Sequence, residues 1–182
     1  IRVVETTQPL IPPTIDDAVF DTVTTALYEN KQLTLHYRNA SGEEKTKDVY
    51  PLGLAQQGTR LYLVCRFPPH KNERSVAMHR ILHAKASTLS FERPKEFNLA
   101  KYDEDGRFLF GEGNKATLSF TITRVAGQHL LESNLSTDQV VEDLDDDYYR
   151  ITATVVDSRM LKSWLRSFGD DVTDVSIQPL KP

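Results

Sequence analysis

The stretch Arg60-Leu61-Tyr62-Leu63-Val64-Cys65-Arg66-Phe67 decides the first half of the fold. Apolar and polar side chains alternate along it, which is the period of a β-strand. We expect the face with Leu61, Leu63 and Cys65 to be buried, and Tyr62 and Arg66 to share the opposite face. A glycine turn precedes the stretch and two prolines follow it, so the strand is bounded on both sides.

Residues around this strand predict one helix and several further short strands. Apolar residues at helical spacing predict a helix over about 15–29, with Thr14 as its N-cap and Asn30 at its end. Strands are predicted at 32–37, at 47–54 with a bend or an edge at Pro51, and at 75–82. This order fits a small SH3-like or Sm-like β-barrel preceded by a helix.

The last third of the chain has a different pattern. Strands are predicted at 116–122, 139–142, 148–155 and 172–177, with an acidic turn at 143–147. Helices are predicted at 125–131 and from a cap at Asp157 or Ser158 to a stop at Gly169. The order βαββαβ is that of a ferredoxin-like domain.

The sequence therefore predicts an α+β protein in four parts. They are an arm or linker at 1–14, a barrel domain at 15–91, a linker with a little local helix at 92–114, and a ferredoxin-like domain at 115–182. The chain begins Ile1-Arg2-Val3-Val4 and carries no signal-peptide pattern, and no apolar stretch approaches the length of a membrane span. We expect a cytoplasmic protein.

Charge is distributed unevenly along the chain. Residues 31–93 hold 11 Lys and Arg against 5 Asp and Glu, a local balance of +6 within a net charge of −4. Four of the five histidines lie in the same window. Such a split indicates two modules, the first suited to an anionic partner, although a solvated basic surface with no ligand explains the window equally well.

No catalytic, cofactor or metal constellation is found. The chain has one cysteine, which excludes an intrachain disulfide, and its place on the inward face of the central strand indicates a buried, inert thiol. The aspartates at 143–147 favour a hairpin turn over a cation site, because their spacing fits no EF-hand. We expect no enzyme activity, no cofactor and no metal.

One candidate binding surface remains. If the strands at 60–67 and 75–82 pair, Tyr62, Arg66 and Arg80 converge on one wall, and a bulge would let His79 and Arg80 exchange roles. An aromatic ring flanked by guanidinium groups suits base stacking and phosphate pairing. Tyrosine and arginine are also common on exposed strand faces, so an unoccupied surface is the alternative.

The order of these segments resembles the WYL domain of bacterial transcriptional regulators. The resemblance rests on Pro51-Leu52-Gly53-Leu54, on Leu61-Tyr62-Leu63 with Leu61 in place of the namesake Trp, and on Ala77-Met78-His79-Arg80-Ile81. The tail, from Ala116 through Trp164-Leu165-Arg166-Ser167-Phe168-Gly169, is similar to the C-terminal extension that commonly follows such domains.

The resemblance implies a sensor and a set of ligand-binding residues. Such a sensor binds single-stranded nucleic acid or a nucleotide on the barrel, forms a homodimer, and controls operator binding by an N-terminal winged helix-turn-helix, in some members in DNA-damage or phage-defence control. The implied contacts are Tyr62 and Arg80, supported by His79, Arg66, Arg60 and Arg74. Tyr37 also matches a position of the family, and we expect it to pack in the core rather than to contact the ligand. The alternative is a stand-alone accessory domain that binds single strands.

Overall fold

The computed structural model describes residues 8–180 and divides into two compact units, residues 1–99 and 100–182. Both are mixed α+β units, each built on one antiparallel sheet. Part of the predicted arm (residues 1–7) and the last two residues of the predicted C-terminal domain lie outside the described residues. The division falls inside the segment predicted as a linker, and the predicted boundaries themselves stay a prediction.

The first unit places one helix before five strands. These are α1 (Asp17–Tyr28), β1 (Lys31–Arg38), β2 (Glu44–Gln57), β3 (Arg60–Arg66), β4 (Glu73–Ala77) and β5 (Ile81–Ser90). The sheet order is β4-β3-β2-β1-β5, and every neighbouring pair is antiparallel. The prediction of a closed barrel is corrected here, because the sheet is open: along residues 8–99 no ladder joins its two edge strands, β4 and β5.

A single core cluster lies between α1 and one face of this sheet. Val19 and Val23 of α1 pack with Leu33, Leu35 and Met78, all buried. Cys65 lies in the same cluster, so the predicted inward position of this thiol is confirmed, and burial raises its pKa to about 12. Burial disfavours the charged thiolate, which explains the direction of the shift.

Two local predictions for the first unit are wrong. The N-cap of α1 is Asp16 rather than Thr14, because the Asp16 carboxylate accepts a 3.0 Å hydrogen bond from the Val19 amide. The predicted strand at 75–82 is interrupted by a 3-10 turn, Met78–Arg80, which separates β4 from β5. Met78 is fully buried in the core cluster at this turn. Pro51 does bend β2, since the register with β3 shifts between Pro51 and Gly53.

The second unit follows the order β6-α3-β7-β8-α4-β9. A short helix α2 (Leu99–Glu104) and a 3-10 turn (Arg107–Leu109) precede it. Its elements are β6 (Gly111–Thr123), α3 (Arg124–Glu132), β7 (Val140–Asp143), β8 (Tyr148–Ser158), α4 (Arg159–Ser167) and β9 (Val172–Pro179), with a 3-10 turn, Gly169–Asp171, before β9. The sheet order is β7-β8-β6-β9, and the core holds Leu118, Phe120, Ile122, Ile151 and Leu165.

The predicted ends of α4 and the acidic turn are confirmed. Ser158 Oγ accepts a 3.1 Å hydrogen bond from the Leu161 amide, and Gly169 follows the helix with φ +57°. In the turn between β7 and β8, the Asp145 carboxylate accepts hydrogen bonds from the Asp147 and Tyr148 amides at 2.8 and 2.9 Å. These bonds are typical of an aspartate turn.

Candidate ligand-binding face

Strand register determines which side chains share the outer face of the first sheet. Across β2, β3 and β4, one row reads Tyr50–Arg66–Glu73, the next Gly53–Val64–Ser75, and the third Ala55–Tyr62–Ala77. Facing residues of neighbouring strands point the same way, and every second residue of one strand shares a face. Tyr62 and Arg66 of β3 therefore lie on one face. Four residues of strand place them about 13 Å apart.

The 3-10 turn brings further cationic groups to the end of this face. The turn packs against β3 directly after Ala77, which is the cross-strand neighbour of Tyr62. It carries His79 and Arg80, both half-buried, and Arg60 begins β3. Arg60, His79 and Arg80, together with Tyr62, are called the basic cluster below.

The surroundings of His79 in the basic cluster shift the pKa of its imidazole. Burial lowers the pKa of His79 below its ordinary value, and the positive charges of Arg80 and Arg60 lower it further. The charges of both guanidinium groups therefore act on the same imidazole. His79 Nδ1 is buried and has no hydrogen-bond partner in the described part of the chain. A buried polar atom in this state costs free energy, which a polar partner would recover.

Arg66 is engaged by two carboxylates. Its Nε and Nη2 donate hydrogen bonds to Glu73 Oε1 at 2.8 and 2.5 Å, and Nη2 also donates to Glu96 Oε1 at 3.0 Å. The Arg66 side chain is 15% exposed, against 71% for Glu96. Arg66 therefore lies on the predicted face but within an ion-pair network.

Two of the predicted contacts lie elsewhere. Arg74 pairs in the ladder with Cys65, a core residue, and its guanidinium lies 5.6 Å from the centre of the Phe67 ring. Arg74 is therefore on the face opposite Tyr62. Tyr37 packs against the core cluster, with its ring 6.2 Å from Phe67 in an edge-on arrangement. This position agrees with the core-packing interpretation of Tyr37.

A segment that follows β5 lies against the same outer face. Residues 91–99, called the strap below, place the Phe91 ring on Tyr50, with ring centres 4.9 Å apart and planes 5° apart. A Cβ added at Gly53 would lie 3.1 Å from Leu99 Cδ2. Because Gly53 and Val64 are paired, Leu99 lies on the side to which Val64 points, and Val64 is fully buried.

Glu73 and Glu96 are not among the residues predicted for this face. Glu73 had a signal, because opposite charges facing each other across a hairpin stabilise it, and a β3–β4 hairpin in the observed register pairs Arg66 with Glu73. Glu96 lies 30 residues after Arg66, in a segment with no periodic pattern. Only the tertiary structure brings it to the face.

The second unit carries an open cleft of about 320 Å³ beside the start of α4. Arg159 and Lys162 line it together with Glu112 and Asp157, so positive and negative groups balance. Within residues 8–180, no group of three or more His, Cys, Asp or Glu side chains is placed to hold a metal ion. In the same range, no helix has both the length and the apolar character that a membrane span requires.

Comparison with protein families matches both halves of the chain. Residues 18–86 match the WYL domain, and residues 114–176 match the WCX domain. The first match contains α1, all of β1 to β4, the 3-10 turn and most of β5, including the basic cluster. The second contains nearly all of the second unit's sheet. The predicted resemblance is confirmed.

No curated protein matches the chain significantly in sequence. Among solved structures, the chain is similar to proteasome accessory factor B/C (PafBC) of Arthrobacter aurescens, with 25% sequence identity and a TM-score of 0.46. The match covers 100% of this chain and 27% of that one, so the chain spans about a quarter of the other protein's length.

Proposed function

The chain carries a WYL domain followed by a WCX domain and so belongs to the WYL-domain proteins, and from this premise we propose that it is the sensing region of a bacterial transcription regulator. In this proposal the first unit binds a regulatory ligand, and ligand binding controls operator binding by a winged helix-turn-helix of the full-length protein. Control of a DNA-damage response or of phage defence is the proposed context. The region acts without enzyme activity, in the cytoplasm.

The proposed ligand is a single-stranded nucleic acid or a nucleotide. The observation that carries this proposal is the basic cluster: the turn with His79 and Arg80 directly follows Ala77, the cross-strand neighbour of Tyr62, and Arg60 begins the same strand as Tyr62. Guanidinium groups pair with phosphate in two-pronged hydrogen bonds, and a tyrosine ring stacks on a base. The excess of basic residues between 31 and 93 adds a general attraction for anions.

His79 has a specific role in this proposal. Its Nδ1 is buried and unpartnered within the described residues, so a ligand could contact it only after the side chains around it move. A phosphate beside the imidazole would also favour its protonated form, which the neighbouring arginines disfavour. His79 would then orient the ligand while Arg80 and Tyr62 make the main contacts.

The other predicted contacts have secondary roles in the proposal. Arg66 lies on the same face and joins the ligand once its more exposed partner, Glu96, gives way. Arg74 is exposed on the opposite face and adds charge rather than a direct contact. Tyr37 supports the sheet through the core cluster.

We propose an Sm-like arrangement for the first unit and a ferredoxin-like arrangement for the second. The first is supported by a helix before five antiparallel strands and by a short 3-10 turn between the last two. The second is supported by the order βαββαβ with the third strand next to the first. The acidic balance of the chain outside residues 31–93 supports a homodimer in which the charges of two copies complement each other.

Variants of the basic cluster test the proposal. In the full-length regulator, Tyr62→Ala and Arg80→Ala should leave operator binding intact and abolish the response to the inducing signal. With this chain alone, Arg80→Ala should weaken binding of a fluorescein-labelled ten-nucleotide single strand by about tenfold, the cost of one charge-assisted contact. Light scattering should show a dimer.

A matched control separates local contact from general charge. Arg38 is an exposed arginine of β1 that pairs with Glu44 at 2.7 Å, so Arg38→Ala removes the same charge from the same unit. It should change oligonucleotide affinity much less than Arg80→Ala. Equal effects of the two variants, or loss of operator binding in Tyr62→Ala, would contradict the proposal.

The second candidate function is a stand-alone accessory domain that binds single strands as its task. The same basic cluster and charge window support it. Both candidates give oligonucleotide binding that weakens steeply with salt. Only the regulator requires that Arg80→Ala change an operator response, so that assay distinguishes the two.

A further inference from the structure

The strap is attached to the outer face of the first sheet at several points. Phe91 stacks on Tyr50, and the Arg93 guanidinium donates a hydrogen bond to the Leu52 carbonyl. Leu99 closes against Gly53, the cross-strand neighbour of Val64. The strap thus covers the rows of the face that contain Arg66 and Val64, and the chain continues from it into the second unit at Ala100.

The strap has one further attachment to the face described here, an ion pair. The Glu96 carboxylate is the strap's acidic contact with the face, at 3.0 Å from Arg66 Nη2. Glu96 is 71% exposed, whereas Glu73, the other partner of Arg66, is 22% exposed and is fixed by the β3–β4 ladder. An exposed ion pair contributes little to stability, so Glu96 is the partner that Arg66 can exchange.

A phosphate group would compete with Glu96 for the same guanidinium. Nη2 of Arg66 already donates to two carboxylates, and a third anion at this position would repel both. Phosphate offers three acceptor oxygens and matches the planar donors of arginine better than a single carboxylate oxygen does. The Tyr62 row lies two rows away, about 13 Å along β3, so a ligand with more than one phosphate could extend from Tyr62 to Arg66. Its phosphate at Arg66 would displace Glu96, the more exposed partner.

We propose that Glu96 is an internal competitor of the anionic ligand, and that its ion pair with Arg66 is the one strap contact that the ligand replaces. This inference rests on the proposed function, since it assumes that the ligand carries a phosphate. It adds a regulatory step to that function. Ligand binding on the first unit removes one of the contacts that hold the strap and so loosens the segment that leads into the second unit.

The test compares Glu96→Gln with Glu92→Gln. Each substitution removes one negative charge from an exposed residue of the strap, but of the two only Glu96 pairs with Arg66. Affinity for the labelled ten-nucleotide strand is measured by fluorescence anisotropy. Hydrogen exchange is followed in the peptide that contains residues 91–99, where the Phe97 amide donates to the Pro94 carbonyl at 3.2 Å.

Glu96→Gln should bind the strand about two- to fivefold more tightly than Glu92→Gln, the range expected for removing an exposed ion pair. Its strap should exchange faster without ligand. In the unsubstituted chain, adding the strand should speed exchange in the same peptide.

Equal affinities of the two variants, with binding retained, would overturn the competitor role and leave the proposed function standing. Unchanged exchange in Glu96→Gln would overturn the role of the ion pair in holding the strap. If neither the unsubstituted chain nor any variant binds the strand, the proposed ligand class fails, and the competitor role fails with it.

Discussion

Gly127 of α3 lies directly against Ile122 of β6: a Cβ added at Gly127 would be 2.9 Å from Ile122 Cγ2. Ile122 is fully buried in the core of the second unit, so it has no free space into which to move. The absence of a side chain at Gly127 is therefore what lets α3 pack on the sheet at this point.

Gly127→Ala should destabilise the second unit. Alanine gains about 1 kcal/mol of helix propensity over glycine, but overpacking a filled core costs about 1–3 kcal/mol, so the clash outweighs the gain. Chemical denaturation should show a lower midpoint. Gln128→Ala, at the exposed neighbouring position, is the control. A midpoint for Gly127→Ala at or above that of the unsubstituted chain would contradict the expectation.

The N-cap of α1 gives a second prediction, on the first unit. Asp16→Ala removes the carboxylate that accepts from the Val19 amide and should lower the free energy of unfolding by about 1 kcal/mol. Asp16→Asn keeps a side-chain oxygen in place and should retain most of the stability. Thermal or urea unfolding measures both. Equal losses in the two variants would show that charge, rather than capping, is responsible.

Cys65 should be unreactive in the folded protein. Burial raises its pKa to about 12, so almost no thiolate exists near neutral pH, and the sulfur is not exposed. A disulfide reagent that releases a coloured thiolate should give no signal with native protein at about pH 8 and one equivalent after denaturation, since the chain has a single cysteine. Rapid reaction of the native protein would show that this part of the core opens easily.

His79 should make the first unit less stable as the pH falls. The folded pKa of His79 lies below the ordinary value of 6.5, which its unfolded form keeps. Below about pH 6.5 the unfolded state therefore binds more protons than the folded state, and stability decreases until the folded pKa is reached. His79→Gln should reduce the loss of unfolding free energy between about pH 7.5 and 5.5.

The control for this pH effect is His70→Gln, in the exposed loop between β3 and β4. It should retain the pH dependence of the unsubstituted chain. A His79→Gln profile that matches the unsubstituted one would show that other groups cause the loss.

Local patterns in the sequence predicted several features that neighbouring residues determine, although they placed the N-cap of α1 at Thr14 instead of Asp16. The alternation from Arg60 to Phe67 predicts β3, and Ser158 and Gly169 predict the ends of α4, because strand period, capping and left-handed backbone are properties of a few adjacent residues. The same patterns extended the strand at 75–82 too far. The turn at Met78–Arg80 places Met78 in the core, which is a tertiary preference.

The sequence by itself determined that Tyr62 and Arg66 share a face, because a strand repeats every two residues. The sequence also identified Arg74, His79 and Arg80, which follow on the chain, as candidate ligand contacts. The burial of Val64 on that face and the pairing of Arg66 with Glu96 came from the tertiary structure alone. These outcomes depend on where the strap comes to lie, and a segment without periodicity carries no local signal of the surface it covers.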